Sequence, residues 1–353
     1  GKQMSLEKFF HLKENNTTVK TEIMAGVTSF MTMAYILAVN PNILAAAGMD
    51  HGAVFTATAV ASLIGTLCMA LFANYPFALA PGMGLNAYFA YTVVLGMGYS
   101  WEVALAAVLT EGIIFIILSC FNIREAIFNA IPFNLKKAVS VGIGLFITFL
   151  GLQNAKIVIG GATLVGLFSV DGYNKTLADG LTASMSDAGI TVLLAIFGVL
   201  ITGILIVKNV KGNILWGILI TWILGIICQF AGIYIPNPDL GFYNLLPDFS
   251  NGISIPSLAP IMFKFSLKGV PVLEFIVIVF AFLFVDLFDT LGTLIGVSAK
   301  ADMLDSEGRL PRIKGALLAD AVGTTCGACL GTSTVTTFVE SASGVTEGGR
   351  TGL

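Results

Sequence analysis

Residues 281–296 read AFLFVDLFDTLGTLIG, part of an apolar run of membrane length that carries two carboxylates, Asp286 and Asp289. A charged side chain at the centre of a bilayer costs at least ~2.5–3.5 kcal/mol on insertion scales, so such residues usually face the interior of a helix bundle and have a function there. Because the two aspartates are three positions apart, they lie on nearly one face of a helix. The run therefore predicts a polar or proton-handling site inside a membrane bundle.

The composition of the whole chain indicates the same class of protein. Of its 353 residues, 56% are hydrophobic and 11% are charged, whereas soluble domains have about 25% charged residues. The net charge is −3 and the sequence has no basic block, so nucleic-acid binding has no support. We expect an all-α polytopic membrane protein.

Apolar runs and helix-breaking residues divide the chain into ten predicted membrane segments, two of them interrupted. The third reads YPFALAPGMGLNA at 75–87, where two prolines and two glycines favour an extended piece and then a helix that begins near Gly82. The tenth begins with GTSTVTTF at 331–338, which its β-branched residues predict to be extended, before a helix near Val339 and Glu340. The continuous segments are predicted at about 23–44, 53–71, 103–121, 138–152, 190–207, 214–233, 272–297 and 316–330.

The basic residues predict the orientation of these segments. Residues 1–22 are polar and are expected on the cytoplasmic side of the cell (plasma or inner) membrane. Two long connections, at 158–187 and 234–268, then fall outside the cell. The cytoplasmic connections are those that hold Arg124, Lys136 and Lys137, Lys208 and Lys211, and the basic residues from Lys300 to Lys314.

Two parts of the chain echo each other. Residues 65–68 read GTLC and residues 323–326 read GTTC, and each run precedes an interrupted segment whose helix start carries a polar residue, Asn86 or Glu340. Interrupted segments at corresponding positions of two halves indicate a transporter binding site. The second copy lies seven segments after the first, an odd number, so it is expected to enter the membrane from the opposite side as an inverted repeat. Helix N-termini, with Asp286 beside them and Phe338 as an aromatic face, would form the site.

Four motifs together resemble the nucleobase–cation symporter 2 family, and more closely its hypoxanthine/guanine (AzgA-like) permease branch. They are TSFMTMAYILAVNP at 28–41, APGMGLN at 80–86, FVDLFDTLGT at 284–293 and GTSTVTTFVESASG at 331–344. The resemblance implies a seven-plus-seven inverted-repeat transporter fold that imports purine bases with protons. It implies a cytoplasmic segment at 1–22, a core domain at 23–121 and 271–353, and a gate domain at 122–270.

The resemblance also assigns roles to individual residues. The segment-eight carboxylate of the family matches Asp286, with Asp289 one turn on. The uracil permeases of the family carry a His after this acid, where this chain has Asp289-Thr290. The expected proton-coupling residues are Asp286, Asp289 and Glu340, one of which should hold a proton at neutral pH because burial disfavours the charged form. The expected substrate-binding residues are Asp286, Glu340, Asn86, Phe338 and Gly84.

The expected partners are a purine nucleobase (hypoxanthine, guanine or adenine), protons and the lipid bilayer. The sequence leaves the oligomeric state open, with a homodimer as one candidate. No cofactor is expected beyond the proton gradient. Because the family has fourteen segments and this sequence stops at Leu353 within the tenth, we expect the C-terminal part of the permease to be absent. The roles of five further polar residues in the segments stay open: Thr28, Thr32, Tyr35, Glu111 and Asp320.

Two other functions fit parts of the sequence. An anion transporter of the same architecture, for sulfate or a dicarboxylate, would suit paired helix N-termini, but Asp286 and Glu340 would repel its substrate. A membrane enzyme or redox protein would use Cys326 and Cys329, yet only two histidines occur in the chain and neither is near them in sequence. We therefore expect a transporter and not an enzyme.

Overall fold

Long apolar runs form helices throughout the computed structural model, which describes residues 2–130, 132–161, 163–167, 190–210, 213–234, 245–246, 254–306 and 309–353. By backbone contacts the chain divides into two compact units, Gly1–Gly144 with Ile255–Leu353, and Leu145–Ser254. The assignment of a core domain and a gate domain stays a prediction.

The helices and strands, in chain order, are α1 (Lys2–Phe10), α2 (Val19–Met33), α3 (Ile36–Ala46), α4 (His51–Phe72), β1 (Leu79–Pro81), α5 (Met83–Ala87), a π-helix (Tyr88–Gly96), α6 (Trp101–Cys120), α7 (Ile123–Ala130), α8 (Phe133–Asn154), β2 (Val158–Gly161), β3 (Leu164–Leu167), α9 (Ile190–Val207), α10 (Asn213–Phe230), α11 (Val272–Lys300), α12 (Ile313–Leu330), β4 (Val335–Thr337) and α13 (Ser341–Thr346).

Several of these helices have the length and apolarity of membrane spans. Among the described residues, six qualify by length and composition. α11, which carries Asp286 and Asp289, is 29 residues long. The six spans are Val19–Ala46, His51–Phe72, Trp101–Cys120, Ile190–Val207, Asn213–Phe230 and Ile313–Leu330.

The predicted segments correspond to these helices, and capping side chains explain where several helices begin. Asp50 accepts a hydrogen bond from the Ala53 N–H at 2.9 Å and begins α4, and Ser100 caps α6 in the same way through Val103. The sequence prediction placed both starts about two residues late because the apolar run begins only after the polar cap. The first segment, predicted as continuous, is divided at Ala34 and Tyr35 into α2 and α3.

The two interrupted segments meet in a two-stranded sheet. β1 and β4 pair antiparallel, with Leu79 opposite Thr337, Ala80 opposite Thr336 and Pro81 opposite Val335, and both strands are buried along their whole length. Both stretches predicted to be extended are confirmed. The β2–β3 hairpin inside the predicted connection 158–187 was not predicted, and the fold is mostly helical. Residues 168–187 of that connection, and most of 235–253 in the second one, lie outside the described residues.

The echoed Gly-Thr pairs hold this sheet. The Leu79 N–H of β1 donates to the Thr66 hydroxyl at 3.0 Å, while the Thr324 hydroxyl donates to the Val335 carbonyl of β4 at 2.9 Å. Each threonine follows an echoed glycine in the helix that precedes its strand. Each copy thus hydrogen-bonds the first residue of one of two antiparallel strands. An inverted repeat would give this arrangement; the repeat itself stays a prediction.

The echoed glycines allow α4, α12 and β4 to approach closely. A Cβ built on Gly323 would lie 3.2 Å from the Cα of Gly65 and 3.1 Å from a methyl group of Val335. A Cβ on Gly65 would lie 3.1 Å from the same methyl group. Small residues are typical of helix interfaces in membranes because they let backbones come together.

The second unit contains a reciprocal contact of the same kind. Gly198 of α9 lies against Thr221 of α10, and Gly217 of α10 lies against Thr202 of α9. Both threonine hydroxyls donate to carbonyls of their own helices, Thr202 to Gly198 at 2.8 Å and Thr221 to Gly217 at 2.7 Å. Each hydroxyl therefore stays hydrogen-bonded in a low-dielectric environment while its oxygen lies against the glycine of the facing helix.

We expect Gly323→Val to lower the thermal unfolding temperature of the detergent-purified chain. The added side chain would overpack the contact with Gly65 and Val335, which typically costs about 1–3 kcal/mol. Gly296→Val is the matched control, because a Cβ on Gly296 of α11 meets nothing within 4 Å. Equal unfolding temperatures for the two variants would contradict the close packing of α4 on α12.

Candidate functional site

The strand pair β1–β4 and the helix starts that follow it form what we call the strand crossing. Backbone hydrogen bonds extend the pairing at both ends: the Gly82 N–H donates to the Thr334 carbonyl at 2.9 Å, and the Phe338 N–H donates to the Ala78 carbonyl at 2.9 Å. α5 begins at Met83 and α13 at Ser341, so both short helices start where the strands end. The two interruptions are therefore joined at one place.

Asp289 lies at this strand crossing. Its Oδ2 is 3.4 Å from the Thr336 hydroxyl of β4, and a Cβ built on Gly82 would lie 3.4 Å from the same carboxylate oxygen. That Cβ would also collide with the Thr336 methyl group. The glycine therefore makes the room in which β4 and the Asp289 carboxylate approach the start of α5.

Asp286 lies one turn earlier on α11 and is fully buried. It accepts a hydrogen bond from the Thr290 hydroxyl at 2.8 Å, and the same hydroxyl oxygen lies 3.1 Å from Asp320 Oδ2 on α12. A threonine hydroxyl has one hydrogen to donate. Both contacts can therefore be hydrogen bonds at once only when one of the two carboxyl groups is protonated and donates to Thr290.

These contacts bear on the roles predicted for the two aspartates. Asp286 was predicted to have the central role and Asp289 a share in proton coupling. The structure places Asp289 at the strand crossing, while the contacts seen for Asp286 run to Thr290 and toward Asp320. The assignment of roles stays a prediction, and the contacts favour Asp289 as the carboxylate nearer to the interrupted helices.

Glu340 lies immediately before α13 and is partly exposed. It accepts a hydrogen bond from the Tyr35 hydroxyl at 2.5 Å. Tyr35 lies where α2 and α3 are divided, and the sequence analysis left open whether it packs or contacts a ligand. Thr28 and Thr32, by contrast, donate to carbonyls of their own helix, Met24 at 2.9 Å and Thr28 at 2.9 Å.

Phe338 and Gly84 occupy packed positions. The Phe338 side chain is 5% exposed and packs with Met33, Ile36 and Ala80, so its ring is part of a hydrophobic cluster and not an open face. Gly84 is buried within α5. Their predicted roles in substrate binding stay predictions.

Asn86 is fully buried in α5 and belongs to an amide network. Its Nδ2 donates to Asn40 Oδ1 at 3.0 Å, and Asn40 Nδ2 donates to the hydroxyls of Thr58 at 2.7 Å and Thr332 at 2.9 Å. Asn40 is not among the site residues predicted from the sequence. A polar amide in the middle of an apolar segment, directly before Pro41, was the signal that could have found it.

Glu111 supports the strand crossing from α6. It is fully buried and accepts a hydrogen bond from the Thr334 hydroxyl at 3.2 Å. The carbonyl of the same threonine accepts the Gly82 N–H. Glu111, whose role stayed open from the sequence, thus holds the residue at which β4 joins the start of α5.

Comparison with known sequences now identifies the family. Residues 20–352 match the sequence model named Permease family. The chain belongs to this family. It is 49% identical to a putative permease of Methanocaldococcus jannaschii, over 99% of this chain and 73% of the relative.

Two further relatives of the permease carry more specific names. The chain is 43% identical to the guanine/hypoxanthine permease PbuO of Bacillus subtilis, over 98% of this chain and 74% of that protein. It is 39% identical to the adenine permease AdeP of Escherichia coli, over 99% of this chain and 72% of that protein. The resemblance to the nucleobase–cation symporter 2 family is thus confirmed. The expected absence of a C-terminal part stays a prediction.

A solved structure has a similar fold. The transmembrane domain of the cyanobacterial bicarbonate transporter BicA superposes with a TM-score of 0.62, covering 95% of this chain and 78% of that domain. The sequence identity is 15%, so the likeness is one of fold alone. With the six membrane-capable helices, it supports a multi-pass membrane protein with a transporter fold. The family indicates a transporter and not an enzyme.

The cysteine pair of the redox alternative lies on α12. Cys326 and Cys329 are free thiols that are partly exposed on α12. Within the part of the chain that the structure describes, no group of three His, Cys, Asp or Glu side chains could hold a metal ion. The redox alternative therefore gains nothing from the structure.

The permease also contains a cavity of about 430 Å³ beside α2 and α4. The cavity has the size of a small-molecule site, and its described lining includes Glu22, Ser29, Thr66 and Tyr75. None of Asp289, Asn86 or Glu340 is among those lining residues. We therefore place the candidate site at the strand crossing and not in this cavity.

Replacing Glu111 should separate hydrogen bonding from charge. Glu111→Leu leaves the buried Thr334 hydroxyl without its acceptor, which costs about 1–3 kcal/mol, and should lower the thermal unfolding temperature of the purified chain. Glu111→Gln keeps an acceptor oxygen and should unfold close to wild type. A glutamine variant as unstable as the leucine variant would show that the carboxyl group itself is needed.

Proposed function

We propose that this permease imports purine nucleobases, with hypoxanthine, guanine and adenine as candidates, by proton symport across the cell membrane. The observation that carries the proposal is the position of the Asp289 carboxylate against the strand crossing, between two interrupted helices. The names of relatives that match along nearly the whole chain, guanine/hypoxanthine and adenine permeases, support the substrate class.

The chemistry of the site suits a base rich in N–H groups. Asp289, Glu340 and the Asn86 amide oxygen are hydrogen-bond acceptors at or next to the strand crossing. Hydrogen bonds from neutral N–H donors to a carboxylate are charge-assisted and strong where water is scarce. Tyr35 donates to Glu340 and so fixes the direction in which this carboxylate faces.

The same arrangement argues against an anion as substrate. Two carboxylates, Asp289 and Glu340, would have to be neutralised before a sulfate or dicarboxylate could approach. The fold shared with a bicarbonate transporter, at 15% identity, carries no substrate preference. A neutral base with several donors is the better fit.

Proton coupling is assigned to Asp286, Thr290 and Asp320. Because the single Thr290 hydrogen cannot serve both carboxyl groups, the arrangement is complete when one of them holds a proton. Asp286 is one helical turn from Asp289, so proton binding and base binding would affect each other along α11. We expect proton binding to raise the affinity for the base. Linkage then requires that base binding raise the affinity for the proton by the same factor. Alternating access would then carry both across.

Uptake of radiolabelled hypoxanthine, guanine and adenine into cells that express the full-length permease tests the function directly. We expect uptake above that of cells with an empty vector, and loss of accumulation when a protonophore is added. Labelled sulfate and a labelled dicarboxylate should not enter. Anion uptake without purine uptake would overturn the proposal.

Replacing Asp289 tests the place of binding. Asp289→Asn removes the charge while keeping the size of the side chain, and we expect at least about a tenfold loss of uptake, the equivalent of one charge-assisted hydrogen bond. Asp302→Asn is the matched control, because it makes the same change at an exposed carboxylate. Unchanged uptake by Asp289→Asn, with equal amounts of protein in the membrane, would remove Asp289 from the site.

Replacing Asp320 tests the assignment of proton coupling. In Asp320→Asn the new amide can donate permanently to Thr290, so the variant imitates the protonated state. We expect purine exchange across the membrane to continue, whereas accumulation against a concentration gradient should fall to near equilibrium. Wild-type accumulation in this variant would show that the proton is held elsewhere.

A further inference from the structure

Four buried polar side chains beside the strand crossing form a hydrogen-bonded network. Asn40, Thr58, Asn86 and Thr332 are each fully buried. They come from α3, α4, α5 and the link between α12 and β4. Buried polar groups in an apolar interior are hydrogen-bonded as a rule, so the donors and acceptors of such a network can be assigned one after another.

The donor and the acceptor of each hydrogen bond can be assigned by starting from a backbone carbonyl. The Thr58 hydroxyl donates its one hydrogen to the Val54 carbonyl of the same helix at 2.7 Å. Its oxygen can then only accept from Asn40. The Asn40 atom at 2.7 Å from that oxygen must be Nδ2, and the second Nδ2 hydrogen goes to Thr332 at 2.9 Å.

The same reasoning assigns the hydrogen bond between Asn40 and Asn86. With Nδ2 of Asn40 facing the threonines, Oδ1 of Asn40 faces Asn86, and the atom that meets it at 3.0 Å must be a donor, Nδ2 of Asn86. The other Nδ2 hydrogen lies toward the Met83 sulfur, 3.9 Å away. Asn86 Oδ1 is left as a buried acceptor with no hydrogen-bond partner among the described residues.

We infer that Thr58 and Asn40 are positioning residues, which turn the Asn86 amide so that its oxygen is offered to an N–H group of the transported base. The inference rests on the proposed function, in which Asn86 contacts a purine. The Asn86 N–H bonds to the Gly82 carbonyl at 2.9 Å, so Asn86 lies one turn after the glycine that adjoins Asp289. The Asn86 amide oxygen accepts no hydrogen bond from the described residues. A purine base carries ring N–H groups that can donate one.

The inference explains why a threonine two hydrogen bonds away from the ligand would affect binding. An asparagine amide that can flip presents N–H in place of C=O in part of the molecules, and N–H repels a donor. The network removes this second orientation, because its hydrogen bonds fix which amide atom of Asn40 and of Asn86 is the donor and which is the acceptor. Preorganised acceptors bind more tightly than acceptors that must be ordered on binding.

The variant that tests the inference is Thr58→Val, which keeps the shape of the side chain and removes the hydroxyl. In uptake assays with labelled hypoxanthine, we expect KM to rise about tenfold, the effect of one hydrogen bond, while the maximal rate changes less than twofold. Thr58→Ser restores the hydroxyl and should restore KM. Thr58→Ala carries the same expectation if the valine variant does not fold.

Thr56→Val is the matched control. Thr56 lies on the same helix and is also buried, but its hydroxyl donates to the Pro256 carbonyl at 2.7 Å, outside the network. This variant should keep the wild-type KM. In an Asn86→Ala background, Thr58→Val should cause no further rise in KM, because the amide that Thr58 positions is gone.

The outcomes separate the inference from the proposed function. If the wild type takes up hypoxanthine and Thr58→Val has the KM of Thr56→Val, the positioning role is overturned and the transport function stands. An additive effect of Thr58→Val in the Asn86→Ala background also overturns it, since Thr58 would then act by another route. If the wild type takes up no purine, the proposed function fails, and the inference fails with it.

Discussion

The antiparallel pairing of β1 with β4 is the interaction on which the rest of the structure depends. A helix interrupted inside a membrane exposes N–H and C=O groups that lipid cannot satisfy. Here each interruption supplies the partner of the other. Thr66 and Thr324 hold the strands from the two flanking helices, and the small residues of α4 and α12 let these helices come close enough to do so.

Hydroxyl groups carry much of the polar chemistry around this strand pair. Thr334 links Glu111 to the start of α5. Thr290 lies between Asp286 and Asp320, and Thr58 orients the amides of Asn40 and Asn86. A threonine hydroxyl has one hydrogen, so its first hydrogen bond decides what its neighbours can do. The site is thereby preorganised by side chains that need not contact the substrate.

Much of this fold could be predicted from the sequence, because membrane helices are marked by local composition and interruptions by proline and glycine. The motif at 75–87 predicted an extended piece and, to within one residue, the start of α5. Which residues meet across the bundle could not be predicted, since no local pattern records that Tyr35 donates to Glu340, 305 positions away. For the same reason Asn40 was overlooked, and Asp289 was not recognised as the aspartate at the strand crossing.

Proton movement driven by the base tests the central claim most directly. The full-length permease would be reconstituted in vesicles that contain a pH-sensitive dye, and hypoxanthine would be added outside without an imposed proton gradient. The account predicts that the vesicle interior becomes more acidic as hypoxanthine enters, and that Asp289→Asn abolishes both signals. Entry of hypoxanthine with no change in internal pH would contradict proton symport by this site.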